Sequence, residues 1–146
     1  MIFTIEETCD ISLCRALRRT VFIEEQGISE ADELDDRDDA AVHLLARDNT
    51  GALGSARLLV EDGTGKIGRV CVLPQGRGRG IGAALIRAGV AHFRHRGDLA
   101  TVKLGAQTHA LGFYAALGFH AVGEVYDDAG IAHQDMILSL AATEEG

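Results

Sequence analysis

The sequence predicts a mixed α/β fold: seven strand-like segments and three helical ones in the order β-α-β-β-β-α-β-α-β-β. Three observations carry this. Short apolar, β-branched runs are bounded by Gly, Asp and Asn turns. Two longer segments carry apolar residues at helical spacing instead. Between them, a strand stops at Pro74 and opens through glycines into a helix.

Ile2 to Glu6 is the first expected strand. Leu13, Leu17 and Val21 recur every four residues, which predicts a helix over Asp10 to Ile23 with Arg15, Arg18 and Arg19 outward. An acidic run, Glu30 to Asp39, follows with Arg37 its only basic residue. Val42 to Arg47 is a strand. The turn Asp48-Asn49-Thr50-Gly51 leads into a hairpin partner, Leu53 to Val60. Glu61 to Gly65 turns again, into the strand Lys66 to Leu73. Gly80 to Arg96 is the long helix, apolar at Leu85, Ile86, Val90 and Phe93, with Gly97 suited to its C-terminal stop. Thr101 to Ala106 is a buried strand. Thr108 suits the cap of a short helix that Gly118 closes. Phe119 to Tyr126 and Ala132 to Leu140 are the last strands, joined by Asp127 to Gly130.

The chain has 146 residues, which suits one domain over 1–146 with one core. No apolar run approaches the length of a membrane span, and the N-terminus lacks the basic start of a signal peptide. Cys9, Cys14 and Cys71 form no metal-binding spacing, and their odd number suggests reduced thiols; a cytoplasmic protein without a metal is expected. The net charge of −8 argues against nucleic acid as partner. The basic residues are nearly all arginine and several gather at Arg77, Arg79, Arg87, Arg94 and Arg96, a local mouth suited to a small polyanion.

The turn between Val72 and the long helix is an anion site by construction. Helix-start N–H groups are unpaired, and the helix dipole adds positive potential. A P-loop is excluded, because no lysine or hydroxyl follows the glycines. A dinucleotide fingerprint fits Gly78, Gly80 and Ala83, but the next strand ends at Gln107 rather than at an acidic residue.

Arg77-x-x-Gly80-x-Gly82, directly after a V-x-V-x-P strand, is similar to the coenzyme A loop of the GNAT superfamily of acyl-CoA N-acyltransferases. Ala110 to Phe119 resembles that superfamily's A-x-x-F-Y-x-x-x-G-F signature, one strand later. Val21 to Gln26, the Glu33/Asp35/Asp38 segment, His43, Gly105 to Ala110, Glu124 to Tyr126 and Gly130 to His133 look like its ElaA/YjcF-type branch. Two departures stand out: Ala132 replaces the branch's usual proline, and the glycine turn is richer in arginine.

The resemblance covers essentially the whole chain and implies a mixed, mostly antiparallel sheet of about seven strands flanked by helices. It implies acetyl-CoA as cosubstrate, with pantetheine along the backbone of Val70, Cys71 and Val72. Pyrophosphate falls to the turn Arg77, Gly78, Arg79, Gly80, Ile81 and Gly82, and Gln107 supplies a further coenzyme contact. Tyr114 matches the general acid that protonates the leaving thiolate and also touches the coenzyme. For the base and the amine acceptor, the branch pattern offers Glu33, Asp35, His43 and His133, and a water-mediated base stays open. The acceptor is a small molecule or a peptide amine, and the protein a monomer or homodimer. Each residue has a plainer reading too: Tyr114 as a core aromatic, the acidic run as a solvated loop. Two rival functions remain, a catalytically silent coenzyme A-binding regulatory module and an acyl-homoserine-lactone synthase-like enzyme.

Overall fold

The computed structural model describes residues 2–140; Met1 and residues 141–146 of the expected 1–146 domain lie outside the described residues. The strands are β1 (Thr4–Thr8), β2 (Val42–Asp48), β3 (Gly51–Glu61), β4 (Thr64–Val72), β5 (Thr101–Gln107), β6 (His120–Asp128) and β7 (Ile131–Ser139). They form one sheet in the order β1-β2-β3-β4-β5-β7-β6. Every neighbouring pair is antiparallel except β4 with β5. The tight turns fall where the polar residues predicted them, Ala129 (φ 55°) and Gly130 (φ 82°) giving the last hairpin its primed turn.

Helix α1 (Ile11–Arg18) starts at Asp10, whose side chain accepts from the Leu13 amide at 3.1 Å. It runs on through a π-helical segment, Arg19–Glu25, and so ends two residues beyond the expected Ile23. A short helix, α2 (Glu30–Glu33), capped by Ser29, was not expected inside the acidic run. Helix α3 (Ile81–Arg96) lies between Gly80 (φ 83°) and Gly97 (φ 80°), both left-handed as glycine allows. Helix α4 (Leu111–Ala115) follows a 3-10 turn, Thr108–Ala110, and Thr108 does not cap it. Gly118 (φ 102°) lies just beyond α4, where the stop was expected. Among the described residues no helix is long and apolar enough to cross a membrane.

The sheet has two covered faces of unequal extent. Val102, Leu104, Ala106, Ile67 and Leu58 face α3, where Leu85, Ile86 and Phe93 are buried to within 1%. Burying each such side chain contributes about 1.5–3 kcal/mol. On the opposite face, Leu17 and Val21 pack on Leu45 and Cys71. That helix covers only the β2–β4 half. Strand alternation puts Lys103, Gly105 and Gln107 on the same face as α1, but Gly105 and Tyr126 stay exposed there.

Strands β4 and β5 are paired only over Thr64–Lys66 with Thr101–Lys103. Beyond Lys66 they separate. An extra residue between Gly68 and Cys71 bulges β4 against β3, with Arg69 at φ 51°. The result is a sheet open in its middle, with one unpaired strand edge on each side of the opening.

Candidate active site

The opening between β4 and β5 leads into a cleft of about 920 Å³. One lip is β4. The amide of Leu73 donates to the Leu53 carbonyl at 2.8 Å, on the β3 side. Backbone alternation therefore turns the groups of Val72 the other way, into the opening. Val70, Cys71 and Val72 all line the cleft. Cys71 offers backbone only: its thiol is buried, lies 3.5 Å from the Ser55 hydroxyl and is pushed up to about 11 by burial.

At the mouth, α3 presents an uncapped start. Gly80 makes no side-chain cap and the first turn holds no carboxylate, so its amides suit an anion. Ile81 is buried, so only its backbone can reach a ligand, and Gly78, Gly80 and Gly82 continue from Arg77 onto the surface beyond the cleft lining. The two arginines are already engaged. Arg77 Nε donates to the Val72 carbonyl at 3.0 Å, while NH1 and NH2 donate to Glu25 at 2.7 and 2.5 Å. Arg79 turns away, donating to Asp48 at 2.9 Å and lying over the Phe3 ring.

Across the opening stands the α4 side. Tyr114 lines the cleft edge-to-face with Phe113 and Phe119. Burial raises its pKa, which keeps the phenol protonated, and its hydroxyl has no hydrogen-bond partner among the described residues. Gln107, on the β5 lip, donates to Gln26 Oε1 at 3.2 Å and accepts from His109 Nε2 at 2.8 Å. Both groups of its amide thus serve protein contacts.

The acceptor side divides the four base candidates. His133 lines the cleft. Its Nδ1 lies 2.8 Å from the Ile131 carbonyl, an acceptor only, so Nδ1 carries the hydrogen and a neutral ring keeps its lone pair on Nε2. The ring stacks on Tyr126, 6.0 Å between centroids. Tyr126 in turn donates to Asp135 Oδ1 at 2.7 Å, and Asp135 pairs with Lys103 at 3.3 Å. Burial and the Asp135 carboxylate hold the Tyr126 phenol far above its ordinary pKa.

Glu33 also lines the cleft, but its Oε2 accepts from Arg18 at 2.8 Å and Arg69 at 3.2 Å. Asp35 is gripped by Arg57 through both oxygens, at 2.8 and 3.0 Å. His43 is buried, donates from Nε2 to the Asp38 carbonyl at 2.9 Å and is not among the residues lining the cleft. In register it stands opposite Arg57, beneath the ionic network. The acidic run is thus not a solvated loop throughout; arginines from α1, β3 and β4 fold into it.

Sequence reasoning missed Glu25, Gln26, Arg69, Tyr126 and Asp135 as cleft residues. Glu25, Gln26 and Tyr126 lie in stretches already singled out for their branch likeness, which was the available signal. Nothing local distinguished Arg69 or Asp135.

A family model of the acetyltransferase (GNAT) domain matches residues 20–140. The uncharacterized N-acetyltransferase YjcF of Bacillus subtilis (strain 168) is 32% identical over 122 residues, covering 83% of this chain and 86% of YjcF. Protein ElaA of Escherichia coli (strain K12) is 36% identical over 124 residues, covering 82% of this chain and 81% of ElaA. The crystal structure of an acyl-CoA N-acyltransferase from Pseudomonas aeruginosa superposes with a TM-score of 0.75 at 29% identity, covering 94% of this chain and 98% of that one.

Proposed function

The chain belongs to the acetyltransferase (GNAT) domain family, in its ElaA/YjcF-type branch, and we propose that it moves an acetyl group from acetyl-CoA directly to a primary amine. The observation that carries this reading is the β4/β5 opening: a free strand edge, an uncapped helix start at one end and a protonated phenol on the far wall. On this reading the whole chain is one cytoplasmic catalytic domain, monomer or homodimer.

The residues present suit a coenzyme A thioester. The Val70–Val72 edge pairs with the amide-bearing arm, and the first amides of α3 hold the pyrophosphate with the helix dipole behind them. A backbone N–H of that edge polarises the thioester oxygen. The acceptor nitrogen, reaching the opening from the uncovered β5–β7 face, attacks the carbonyl carbon. A carbon–nitrogen bond forms and the carbon–sulfur bond breaks. Tyr114 gives its proton to the departing thiolate. The nitrogen loses its proton to His133 Nε2, directly or through water.

Turnover of acetyl-CoA across a panel of primary amines, followed as free thiol, tests this. Amine-dependent thiol release is expected. Binding of acetyl-CoA with no release for any amine would instead favour the silent coenzyme-binding module.

A further inference from the structure

Two residues expected to touch the coenzyme stand on opposite lips of the opening, and consecutive residues at the end of α1 hold both. Glu25 grips Arg77 beside the β4 lip, and Gln26 grips Gln107 on the β5 lip. The π-helical segment that ends at Glu25 sets this up. Its wider turn closes with Gln26 N–H on the Val21 carbonyl at 3.0 Å, and Gly27 (φ 76°) then breaks the helix.

Arg77 is anchored by Nε on the Val72 carbonyl, which fixes the plane of its guanidinium. The edge left over, NH1 with NH2, is the edge that matches a phosphate bidentately. Glu25 occupies that edge. Nothing else holds Glu25: its carboxylate makes no hydrogen bond besides the pair to Arg77 among the described residues, and it is 42% exposed. The contrast is Asp48 on Arg79, whose carboxylate also accepts from the Thr50 amide and hydroxyl and whose side chain is 1% exposed. Asp48 is fixed and Glu25 is exchangeable.

We propose that Glu25 is an internal competitor for Arg77, displaced by the coenzyme's pyrophosphate on binding and returning to Arg77 as product coenzyme A leaves. The inference rests on the coenzyme reading above. A doubly charged pyrophosphate outbids one exposed carboxylate. The returning carboxylate lowers the affinity for product, which assists its release.

Glu25→Gln keeps the side chain's shape and removes its charge. Calorimetry should show coenzyme A binding about two- to fivefold tighter than wild type at low ionic strength, the range set by an exposed ion pair. The gap should close with added salt. Pantetheine, which lacks the phosphates, should bind both proteins alike. Unchanged or weaker coenzyme A affinity in Glu25→Gln overturns the proposal, as does a pantetheine affinity that shifts equally. A coenzyme A complex of the wild type gives a check that needs no variant: an intact bidentate Glu25–Arg77 pair beside bound pyrophosphate also overturns it. Failure of the wild type to bind coenzyme A at all would sink the coenzyme reading itself, a distinct result.

Discussion

Arg18 and Asp38 meet end to end inside the protein, NH1 on Oδ1 at 3.1 Å and NH2 on Oδ2 at 3.0 Å, with each side chain only 1% exposed. Arg15 and Arg57 add two more contacts to the same carboxylate. An acidic segment that looks solvated is therefore pinned to three other elements, and its carboxylates hold the cleft wall in place. Asp38→Asn leaves buried Arg18 with Glu33 as its remaining counter-ion. Removing one partner of a buried pair costs up to about 3–5 kcal/mol, so urea unfolding should show a loss within that bound.

The same pair sets an acid limit. Burial alone would raise the Asp38 pKa; the guanidiniums of Arg18, Arg15 and Arg57 outweigh it and hold the group far below the ordinary 3.8. A lowered folded-state value means the stabilisation is complete above the unfolded value and is lost as pH falls through the folded one. Wild-type stability should decline below about pH 4, and Asp38→Asn should flatten that decline. Equal slopes in the two proteins would remove Asp38 from the account.

Neutralising Glu33 and Asp35 together is expected to act first on stability. Arg18, Arg57 and Arg69 hold both residues, so the double variant should melt lower than wild type before any change in amine KM is read. An unchanged Tm with a raised KM for the amine would return these carboxylates to the acceptor site.

Tyr114→Phe keeps the edge-to-face packing on Phe113 and Phe119 and deletes one proton. Loss of a general acid costs roughly 100-fold or more in kcat, with KM for acetyl-CoA nearly unmoved. Because burial raises the phenol above the ordinary tyrosine value, deprotonation of Tyr114 should cause no fall in kcat from neutral to mildly alkaline pH. Wild-type kcat in the variant would make Tyr114 a packing residue.

Gly82 separates ligand approach from backbone strain. Gly80 sits at φ 83°, so a valine there strains the turn whatever the ligand does. At Gly82 the backbone is ordinary, and an added Cβ would meet only Phe113 Cζ at 3.6 Å and Val72 Cγ2 at 3.9 Å, at the mouth of the cleft. Gly82→Val should fold, with a Tm close to wild type, and lose coenzyme A affinity in calorimetry. Full affinity in the folded variant would move the pyrophosphate elsewhere.

Gly105 lets Tyr126 lie across β5, since a Cβ there would come 2.6 Å from the phenol oxygen. Gly105→Ala should push that ring off Asp135, at about 1–3 kcal/mol of overpacking. KM for the amine should rise while KM for acetyl-CoA stays. Movement of both values together would mean the ring supports the whole cleft rather than its acceptor side.

Local chemistry explains what could be read from the sequence. Pro74, Gly80 and Gly97 mark the ends of their elements because proline fixes its own φ and glycine readily takes the left-handed backbone, and the strand turns follow from Asp, Asn and Gly in the same way. What stayed hidden depends on distant partners. Glu25 and Arg77 are 52 residues apart, and Asp35 meets Arg57 across 22. Neither pairing leaves a mark on either local segment. The π-helical extension of α1 was hidden because its residues follow the same apolar spacing that an ordinary helix end would show. The surroundings of His43 stayed hidden because a strand-start histidine reveals its face only once the register with Arg57 is known.

A single-turnover experiment tests direct transfer across the β4/β5 opening most closely. Enzyme loaded with carbonyl-labelled acetyl-CoA and freed of excess is mixed with an active amine, while thiol, amide and intact protein mass are followed together. Thiol and labelled amide should appear at one shared rate, only after the amine is added, with no acetylated protein at any time. Thiol released before the amine, or an acetyl group carried on the protein, would contradict the account.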